Sequence, residues 1–219
     1  MARCPRGARE VTRVGFAGKS GSRARAHRGG NSRLLRIIGG TWRGRKLRFA
    51  AAADIRPTPD RVRETLFNWL GGHIAGARCL DLFAGSGALG LEALSRGAVH
   101  VTFVEQDDTA ARELRARLLE WQAQGAEVRR ADALRYLAGS PGSPFTVVFL
   151  DPPFGSGLLA RAAGLLAERG WLSPGALIYV ECAAREGPPP LPEGFTALKG
   201  KQAGEVGYYL YAHATVRPT

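Results

Sequence analysis

A short motif in the second half of the chain, Asp151-Pro152-Pro153-Phe154, combines groups that suit a planar nucleobase. The two prolines fix the backbone and lack N–H donors, so their carbonyl groups only accept hydrogen bonds. Asp151 adds an acceptor carboxylate, and Phe154 adds a ring on which a base can stack, an interaction of about 1–3 kcal/mol. The motif therefore indicates a site that binds and orients a planar base with an exocyclic amine. The alternative is that the prolines only end a buried strand.

A glycine-rich segment upstream, Gly85-Ser86-Gly87-Ala88-Leu89-Gly90, has the GxGxxG spacing and lies between a strand pattern and a helix pattern. Glycines at these positions let the backbone approach a bound nucleotide, whose polar groups meet the N–H donors at the start of the helix. Glu105 ends the next strand pattern, where its carboxylate can hold a ribose diol. These features suit NAD and S-adenosylmethionine (SAM) equally, and glycines that serve only close packing are the remaining alternative.

Two further positions favour SAM over a dinucleotide. Asp81 lies inside the first strand, where a dinucleotide fold normally has an apolar side chain. A buried carboxylate needs a partner, and the ammonium group of the methionine moiety would supply one. Asp132 and Ala133 follow the third strand, where a carboxylate and a backbone N–H can contact an adenine edge. SAM carries the reactive methyl group, so the main task of the protein would be to position the amine next to that methyl group.

The elements that must position these residues alternate between strand and helix patterns. Strands are predicted at 78–83, 99–105, 126–130, 145–150 and 176–181, and helices at about 88–96, 107–123 and 157–169. Short apolar strands separated by helices are typical of a parallel sheet covered on both faces. Two more strand patterns, at 194–199 and 206–212, predict an antiparallel hairpin. We therefore predict an α/β, Rossmann-like methyltransferase fold with a mostly parallel seven-stranded sheet and an antiparallel C-terminal hairpin.

The segment before this alternation predicts a small N-terminal β-hairpin and a helix. Two β-prone runs flank Gly39-Gly40 and Arg43-Gly44. Thr58 is expected to cap a helix whose first residue is Pro59, because proline is tolerated where the N–H has no helical partner. The helix is expected to end at Gly71-Gly72.

Positive charge is concentrated at the N-terminus. Residues 1–48 hold 14 of the 31 Lys and Arg residues and one acid, whereas the rest of the chain is nearly neutral. This distribution favours a polyanionic partner such as nucleic acid, and the alternative is a solubilising tail. We predict a disordered basic tail (1–32), a basic β-hairpin (33–55) and a methyltransferase domain (56–219). The tail could also be an RNA-contacting arm, the product of an overlong gene start or a transit peptide.

Cysteine and histidine spacing indicates neither a disulfide framework nor a metal site. The three cysteines are far apart and form no CxxC motif, and the four histidines have no metal-ligand spacing. We therefore predict no metal and a reducing, cytoplasmic location. No run reaches the roughly 18 apolar residues of a membrane helix, so no membrane association is expected. A monomer is the default expectation.

These motifs resemble the RsmD family of bacterial 16S rRNA methyltransferases over residues 36–211. The segments that carry the resemblance are RIIGG, RPTPDRVRETLFNWL, LDLFAGSGALGLEALSRGA, DPPF, GWL, ALIYVE and GEVGYYLY. The resemblance implies SAM-dependent methylation of the exocyclic N2 of a guanine, at position 966 of 16S rRNA, with S-adenosylhomocysteine as the product. It also implies that the substrate is the assembled or assembling small ribosomal subunit, with ribosomal proteins completing the recognition surface.

The resemblance also assigns roles to residues. The SAM pocket would comprise Thr58, Asp81, Ala84, Gly85, Gly87, Glu105, Gln106, Asp132 and Ala133. Asp151, Pro152, Pro153 and Phe154 would hold the guanine and form the catalytic site. The RNA-facing residues would be Arg36, Arg43, Arg45, Lys46, Arg48, Arg56, Arg61 and Arg63. The alternatives are an amino-methyltransferase of another RNA guanine or of DNA adenine, a non-catalytic ribosome-assembly factor and, more remotely, a nicotinamide dehydrogenase.

Overall fold

The structure, a computed structural model, describes residues 32–50 and 58–214. The strands are β1 (Ser32–Arg36), β2 (Lys46–Ala50), β3 (Arg78–Asp81), β4 (His100–Glu105), β5 (Ala126–Arg130), β6 (Phe145–Leu150), β7 (Leu172–Ala183), β8 (Phe195–Ala203) and β9 (Val206–His213). The α-helices are α1 (Asp60–Leu70), α2 (Ala88–Ser95), α3 (Asp108–Glu120), α4 (Ala133–Leu137) and α5 (Leu158–Glu168). Short 3₁₀ helices follow α1 (Gly71–His73) and β7 (Ala184–Glu186). The predicted tail lies outside the described residues except for Ser32, which begins β1.

Seven strands form one sheet in the order β5-β4-β3-β6-β7-β9-β8. The pairs among β3 to β7 are parallel, and β9 pairs antiparallel with both β7 and β8. After β3 the chain runs outward through β4 and β5, and then returns to the other side of β3 with β6. The strand order therefore reverses between β3 and β6, which is where open α/β sheets bind their ligands. The predicted fold class is confirmed.

The two faces of the sheet are covered by two hydrophobic clusters. Alternate residues of each strand belong to different clusters: Phe149 and Tyr179 belong to one, and Val148 and Ile178 to the other. This alternation follows from the two-residue period of a strand, and burial on both faces explains why the sequences of central strands such as β6 are almost continuously apolar, whereas the edge strands β5 and β8 carry charged and exposed residues. Helices α1, α2 and α3 contribute residues to the first cluster, and α4 and α5 to the second.

The N-terminal hairpin forms as predicted. β1 and β2 pair antiparallel from Ser32 with Ala50 to Arg36 with Lys46, and residues between them form the connecting turns. Within residues 32–50 and 58–214, the α-helices have at most 13 residues, and none has the length and apolarity needed to span a bilayer.

Candidate active site

The glycine-rich loop connects β3 to α2 at the reversal point of the sheet. Gly85 and Gly87 both have left-handed backbone conformations, with φ of +51° and +76°, and Gly87 directly precedes the first residue of α2. Gly90 has a different role: a Cβ there would lie 2.2 Å from Cε1 of Phe103 in β4. The first two glycines therefore shape the loop, whereas Gly90 lets the helix pack closely on the sheet. Ala84, buried in this loop, donates its N–H to the carbonyl of Val104.

Asp81 ends β3 beneath this loop and is 3% exposed. Its Oδ2 accepts a hydrogen bond from the N–H of Gly90 at 3.0 Å. Burial raises the pKa of Asp81 to about 7; the Gly90 hydrogen bond opposes the rise and the Glu105 carboxylate adds to it. Among the ion pairs of the described residues, none includes Asp81. The site therefore suits a ligand that brings a positive charge.

Glu105, at the end of β4, holds the same loop from the other side. Its Oε2 accepts from the N–H of Gly85 and its Oε1 from the N–H of Asp107, both at 2.7 Å. These two bonds fix the carboxylate at the carboxyl end of the strand, the position at which a ribose diol is expected. The neighbouring Gln106 is exposed.

A cavity of about 260 Å³ lies beside Gln106 and Asp132, and Arg130 and Arg135 also line it. Asp132 caps the short helix α4, because its Oδ1 accepts from the N–H of Arg135 at 2.9 Å. Ala133, the first residue of α4, is buried. The structure thus brings Gln106, Asp132 and Ala133 to the edge of the sheet that also carries Glu105. Sequence patterns missed α4, because a five-residue helix is too short to show a helical period.

The Asp151-Pro152-Pro153-Phe154 motif follows β6 directly, on the other side of the reversal point. Pro152 is buried, whereas Phe154 is 46% exposed and presents its ring to solvent. Burial and the nearby carboxylates of Glu181 and Asp81 raise the pKa of Asp151 well above its ordinary value, and the neighbouring hydroxyl of Thr58 opposes the rise. A cavity of about 300 Å³ is lined by the two prolines, Phe154 and Glu181. Its size suits a single planar base.

Thr58 does not cap α1, so that prediction was wrong. The helix begins at Asp60 with Pro59 at the N-cap position, and no side chain caps it. The Thr58 hydroxyl instead donates to Oε1 of Glu181 at 2.8 Å, in a buried contact between residues 123 positions apart. Thr58 therefore lies beside the Asp151 motif, rather than stabilising the start of its own helix.

Glu181 is a site residue that motif spacing missed. It lies on β7, is 3% exposed, and its Oε1 also accepts from the hydroxyl of Tyr179 at 2.8 Å. Burial raises its pKa, although the hydrogen bonds from Thr58 and Tyr179 oppose the rise. One available signal was an acid inside a strand that is otherwise apolar, the same signal that identified Asp81.

The hairpin and the start of α1 carry most of the predicted RNA-facing cations. Arg36, Arg43, Arg45, Lys46 and Arg61 are exposed. Arg36 pairs with Asp60 at 3.3 Å, and the Arg45 guanidinium lies 5.3 Å from the centre of the Trp121 ring. The side chain of Arg48 and the whole of Arg56 lie outside what the structure describes.

The prediction that Arg63 faces RNA was wrong, because its side chain is completely buried. It lies three and seven residues before Leu66 and Leu70 and so shares the apolar face of α1. Its Nη2 donates to Asp60 at 2.6 Å and to the carbonyl of Arg36 at 2.8 Å, and its Nη1 lies 3.6 Å from Glu92. Arg63 therefore fastens the hairpin to the domain instead of contacting a ligand.

Glu92 and Ser95 of α2 complete this attachment, and neither was identified from the sequence. Buried Glu92 accepts from the N–H groups of Ile38 and Gly39, both at 2.8 Å, and from Arg96 at 2.7 Å. The carbonyl of Ser95 accepts from the N–H of Thr41 at 2.8 Å. A Cβ at Gly40 would lie 1.7 Å from that carbonyl oxygen. The RIIGG segment therefore needs glycine because the hairpin turn lies directly against α2.

Fold and site together define a class of protein. The order of the seven-stranded sheet, the glycine loop after its first strand and acidic residues at successive strand ends are those of Rossmann-like SAM-dependent methyltransferases. In residues 32–50 and 58–214, no group of three or more His, Cys, Asp or Glu side chains is arranged to hold a metal ion.

Comparison with known proteins identifies the family within this class. A family model described as conserved hypothetical protein 95 matches residues 35–212. The ribosomal RNA small subunit methyltransferase D of Escherichia coli K12 is 50% identical over 177 residues, which cover 81% of this chain and 89% of the relative. The solved structure of E. coli yhhF is 47% identical with a TM-score of 0.76, covering 83% of this chain and 99% of that one.

A more distant neighbour is the 16S rRNA N2 methyltransferase RsmC of Thermus thermophilus, solved in complex with AdoMet and guanosine. It is 25% identical with a TM-score of 0.59, and the match covers 84% of this chain and 50% of that one. On these similarities, the chain belongs to the RsmD family, that of ribosomal RNA small subunit methyltransferase D. The family resemblance predicted from the motifs is confirmed.

Proposed function

We propose that this chain transfers the methyl group of SAM to the exocyclic N2 of a guanine in 16S rRNA, within the assembled or assembling small ribosomal subunit. The observation that carries the proposal is the geometry at one edge of the sheet, where the Asp151 motif and its base-sized cavity lie beside the buried carboxylates of Asp81 and Glu181. Support for the substrate comes from the relative named for small-subunit rRNA, and support for N2 from RsmC.

The residues at the glycine loop fit SAM. Asp81 would pair with its ammonium group, because the buried carboxylate has a raised pKa and gains from a positive partner. Glu105 would accept from the ribose hydroxyls, and Gln106, Asp132 and Ala133 would border the adenine. Ala84, Gly85, Gly87 and Thr58 would enclose the methionine side. When bound, SAM supplies an electrophilic methyl group on its sulfonium.

The Asp151 motif would orient the exocyclic amine of the guanine and make it a better nucleophile. The exocyclic nitrogen of guanine is a poor nucleophile, because its lone pair is delocalised into the ring. Asp151 and the carbonyl of Pro152 would accept its two hydrogens, which localises the lone pair and directs it at the methyl group. Phe154 would stack on the base. Once the nitrogen is methylated it becomes acidic, and Asp151, whose pKa is raised, can take the released proton.

The exposed cations Arg36, Arg43, Arg45, Lys46 and Arg61 would contact phosphates next to the target nucleotide. Arg48 and Arg56 stay predictions of the same kind. We further propose that the protein acts in the cytoplasm as a monomer and that ribosomal proteins contribute to recognition. Methylation of another RNA guanine or of DNA adenine, and binding without catalysis, are the alternatives that an experiment must separate.

The test uses tritiated SAM and small subunits from a strain that lacks the gene. The wild-type chain is expected to label 16S rRNA in small subunits. Asp151→Ala is expected to abolish labelling while calorimetry shows unchanged SAM binding, and Glu120→Ala, an exposed acid at the end of α3, is the control. In a parallel reaction with DNA as the substrate, label in adenine would support methylation of DNA as the alternative. No label from the wild-type chain, with SAM binding intact, would contradict the proposed function.

A further inference from the structure

The cavity beside the Asp151 motif is lined by a buried acidic side chain, Glu181, that has no role in the proposed reaction. Glu181 lines this cavity together with Pro152, Pro153 and Phe154. It lies on β7, next to β6, the strand that Asp151 follows, and its carboxylate interacts electrostatically with that of Asp151. A base held against the Asp151 motif would therefore face a second carboxylate.

Two hydrogen bonds hold one oxygen of Glu181 in place. Oε1 accepts two hydrogen bonds of 2.8 Å, from Thr58 before α1 and from Tyr179 on the same strand. Among the hydrogen bonds of the described residues, none reaches Oε2. Because both donors come from buried side chains, the carboxylate is fixed in orientation and its ionised form is stabilised against burial. Such a group is a rigid acceptor, with one oxygen to which none of residues 32–50 and 58–214 donates a hydrogen bond.

The hydrogen-bonding pattern of guanine explains what this acceptor could recognise. The exocyclic N2 amine of guanine lies next to a ring N1–H donor. In adenine and cytosine, the ring nitrogen next to the amine is instead an acceptor. A carboxylate facing that position attracts guanine and repels the lone pair of the other two bases. Sites that hydrogen-bond a substrate N–H reject analogues lacking it strongly, because a buried acceptor is then left unpaired.

We propose that Glu181 is the specificity-determining residue of the base pocket, and that its free carboxylate oxygen accepts the N1–H of the target guanine while Asp151 accepts from the N2 amine. Thr58 and Tyr179 are positioning residues that hold the other oxygen. The inference rests on the proposed function, because it takes the cavity to bind the guanine that is methylated.

The test replaces the target guanine with 2-aminopurine, which keeps the N2 amine but has an acceptor at N1. Small subunits are reconstituted with 16S RNA carrying either base at the nucleotide that the wild-type enzyme labels. We expect the wild-type enzyme to prefer guanine by at least about 100-fold in kcat/KM. Glu181→Gln offers an amide N–H to N1, so it should lose about 100-fold on guanine, gain on 2-aminopurine and narrow the preference to below about tenfold.

The ratio of kcat/KM on guanine to kcat/KM on 2-aminopurine is compared between the wild type and Glu181→Gln. 2-Aminopurine also lacks O6, but this loss affects both enzymes equally, so the change in the ratio reports the contact with N1. Equal loss on both substrates in Glu181→Gln would overturn the inference in favour of a structural role. No transfer by the wild-type enzyme to guanine subunits would instead contradict the proposed function. Glu193→Gln, an exposed acid outside the cavity, is the matched control and should leave the ratio unchanged.

Tyr179→Phe tests whether the Tyr179 hydroxyl positions Glu181. It keeps the Glu181 carboxylate, so it also serves as the second variant if Glu181→Gln does not fold. Removing one donor should raise the pKa of Glu181, so methyl transfer should need a higher pH and the preference for guanine should weaken most at low pH. SAM affinity, measured by calorimetry, should stay within about threefold of the wild type. If the pH profile and the base preference of Tyr179→Phe were identical to those of the wild type, the proposal that Tyr179 positions Oε1 of Glu181 would be contradicted.

Discussion

Replacing Asp81 with asparagine should stabilise the ligand-free protein at high pH and weaken SAM binding. Burial raises the pKa of Asp81 from 3.8 to about 7. The folded protein therefore binds one more proton than the unfolded chain between these values, and stability falls as pH rises through that window. The full loss, reached above pH 7, corresponds to about 4 kcal/mol. The asparagine side chain would carry no charge and would keep an acceptor for the Gly90 N–H.

The assay is urea unfolding of the wild type and Asp81→Asn at pH 5 and pH 8 without SAM. At pH 5 only part of the loss is present, so the free energy of unfolding of the wild type should fall by about 2–3 kcal/mol relative to the variant between the two pH values. Glu120→Gln, which alters an exposed acid, should show no such change. A constant difference between the wild type and Asp81→Asn across this range would refute the reasoning.

SAM binding should show the opposite trend. An ammonium partner favours ionised Asp81, so the affinity of the wild type should rise by up to tenfold for each pH unit between about 5 and 7. Asp81→Asn should bind at least about 100-fold more weakly, because a buried charge pair is lost, and the Asp81-linked part of the pH dependence should disappear. Calorimetry measures both. Unchanged affinity in the variant would contradict the assignment of Asp81 to the cofactor.

Three further outcomes follow from the same contacts. Gly40→Ala should cost more than about 3 kcal/mol in urea unfolding, because the new Cβ meets a backbone carbonyl, whereas Gly44→Ala, also at positive φ but in open space, should cost about 1–2 kcal/mol. Glu92→Gln should cost about 3–5 kcal/mol, because it removes the buried negative charge that faces Arg63 and one acceptor of the hairpin N–H groups; a cost below about 1 kcal/mol would contradict the attachment. Deleting residues 1–31 should leave the melting temperature and methyl transfer nearly unchanged, and a large drop in either would contradict the predicted tail.

Most of the fold could be predicted because short apolar runs alternate with segments of helical period along the chain. Strands β5 and β6 match their predicted bounds; α2 ends one residue before its predicted end, and α5 is one residue shorter than predicted at each end. β7 begins four residues earlier than predicted, because Leu172 already pairs with Phe145 of β6. The sequence that follows Leu172, Ser173-Pro174-Gly175, resembles a turn, so the sequence alone did not indicate a strand there. Local signals therefore predicted the elements, and pairing with neighbouring strands decided their ends.

The candidate site was predictable where one segment carries both the motif and its geometry, as in the glycine loop and the Asp151 motif. It was not predictable where the partner is distant in sequence. Thr58 has the residue type of a helix cap, but its hydroxyl binds Glu181 instead. Arg63 has the residue type of an RNA contact, but it lies on the buried face of α1 and its side chain points to Glu92. Such contacts depend on tertiary structure, which local propensity does not contain.

The identity of the methylated nucleoside tests the central claim most directly. After incubation with SAM, 16S rRNA from small subunits of a strain lacking the gene is digested to nucleosides and separated against standards by chromatography and mass spectrometry. The geometry at Asp151 and Glu181 predicts N2-methylguanosine, formed by the wild-type chain and absent with Asp151→Ala. A methyl group on a ring nitrogen of guanine, or on the amine of adenine or cytosine, would contradict the account of how this site holds its base.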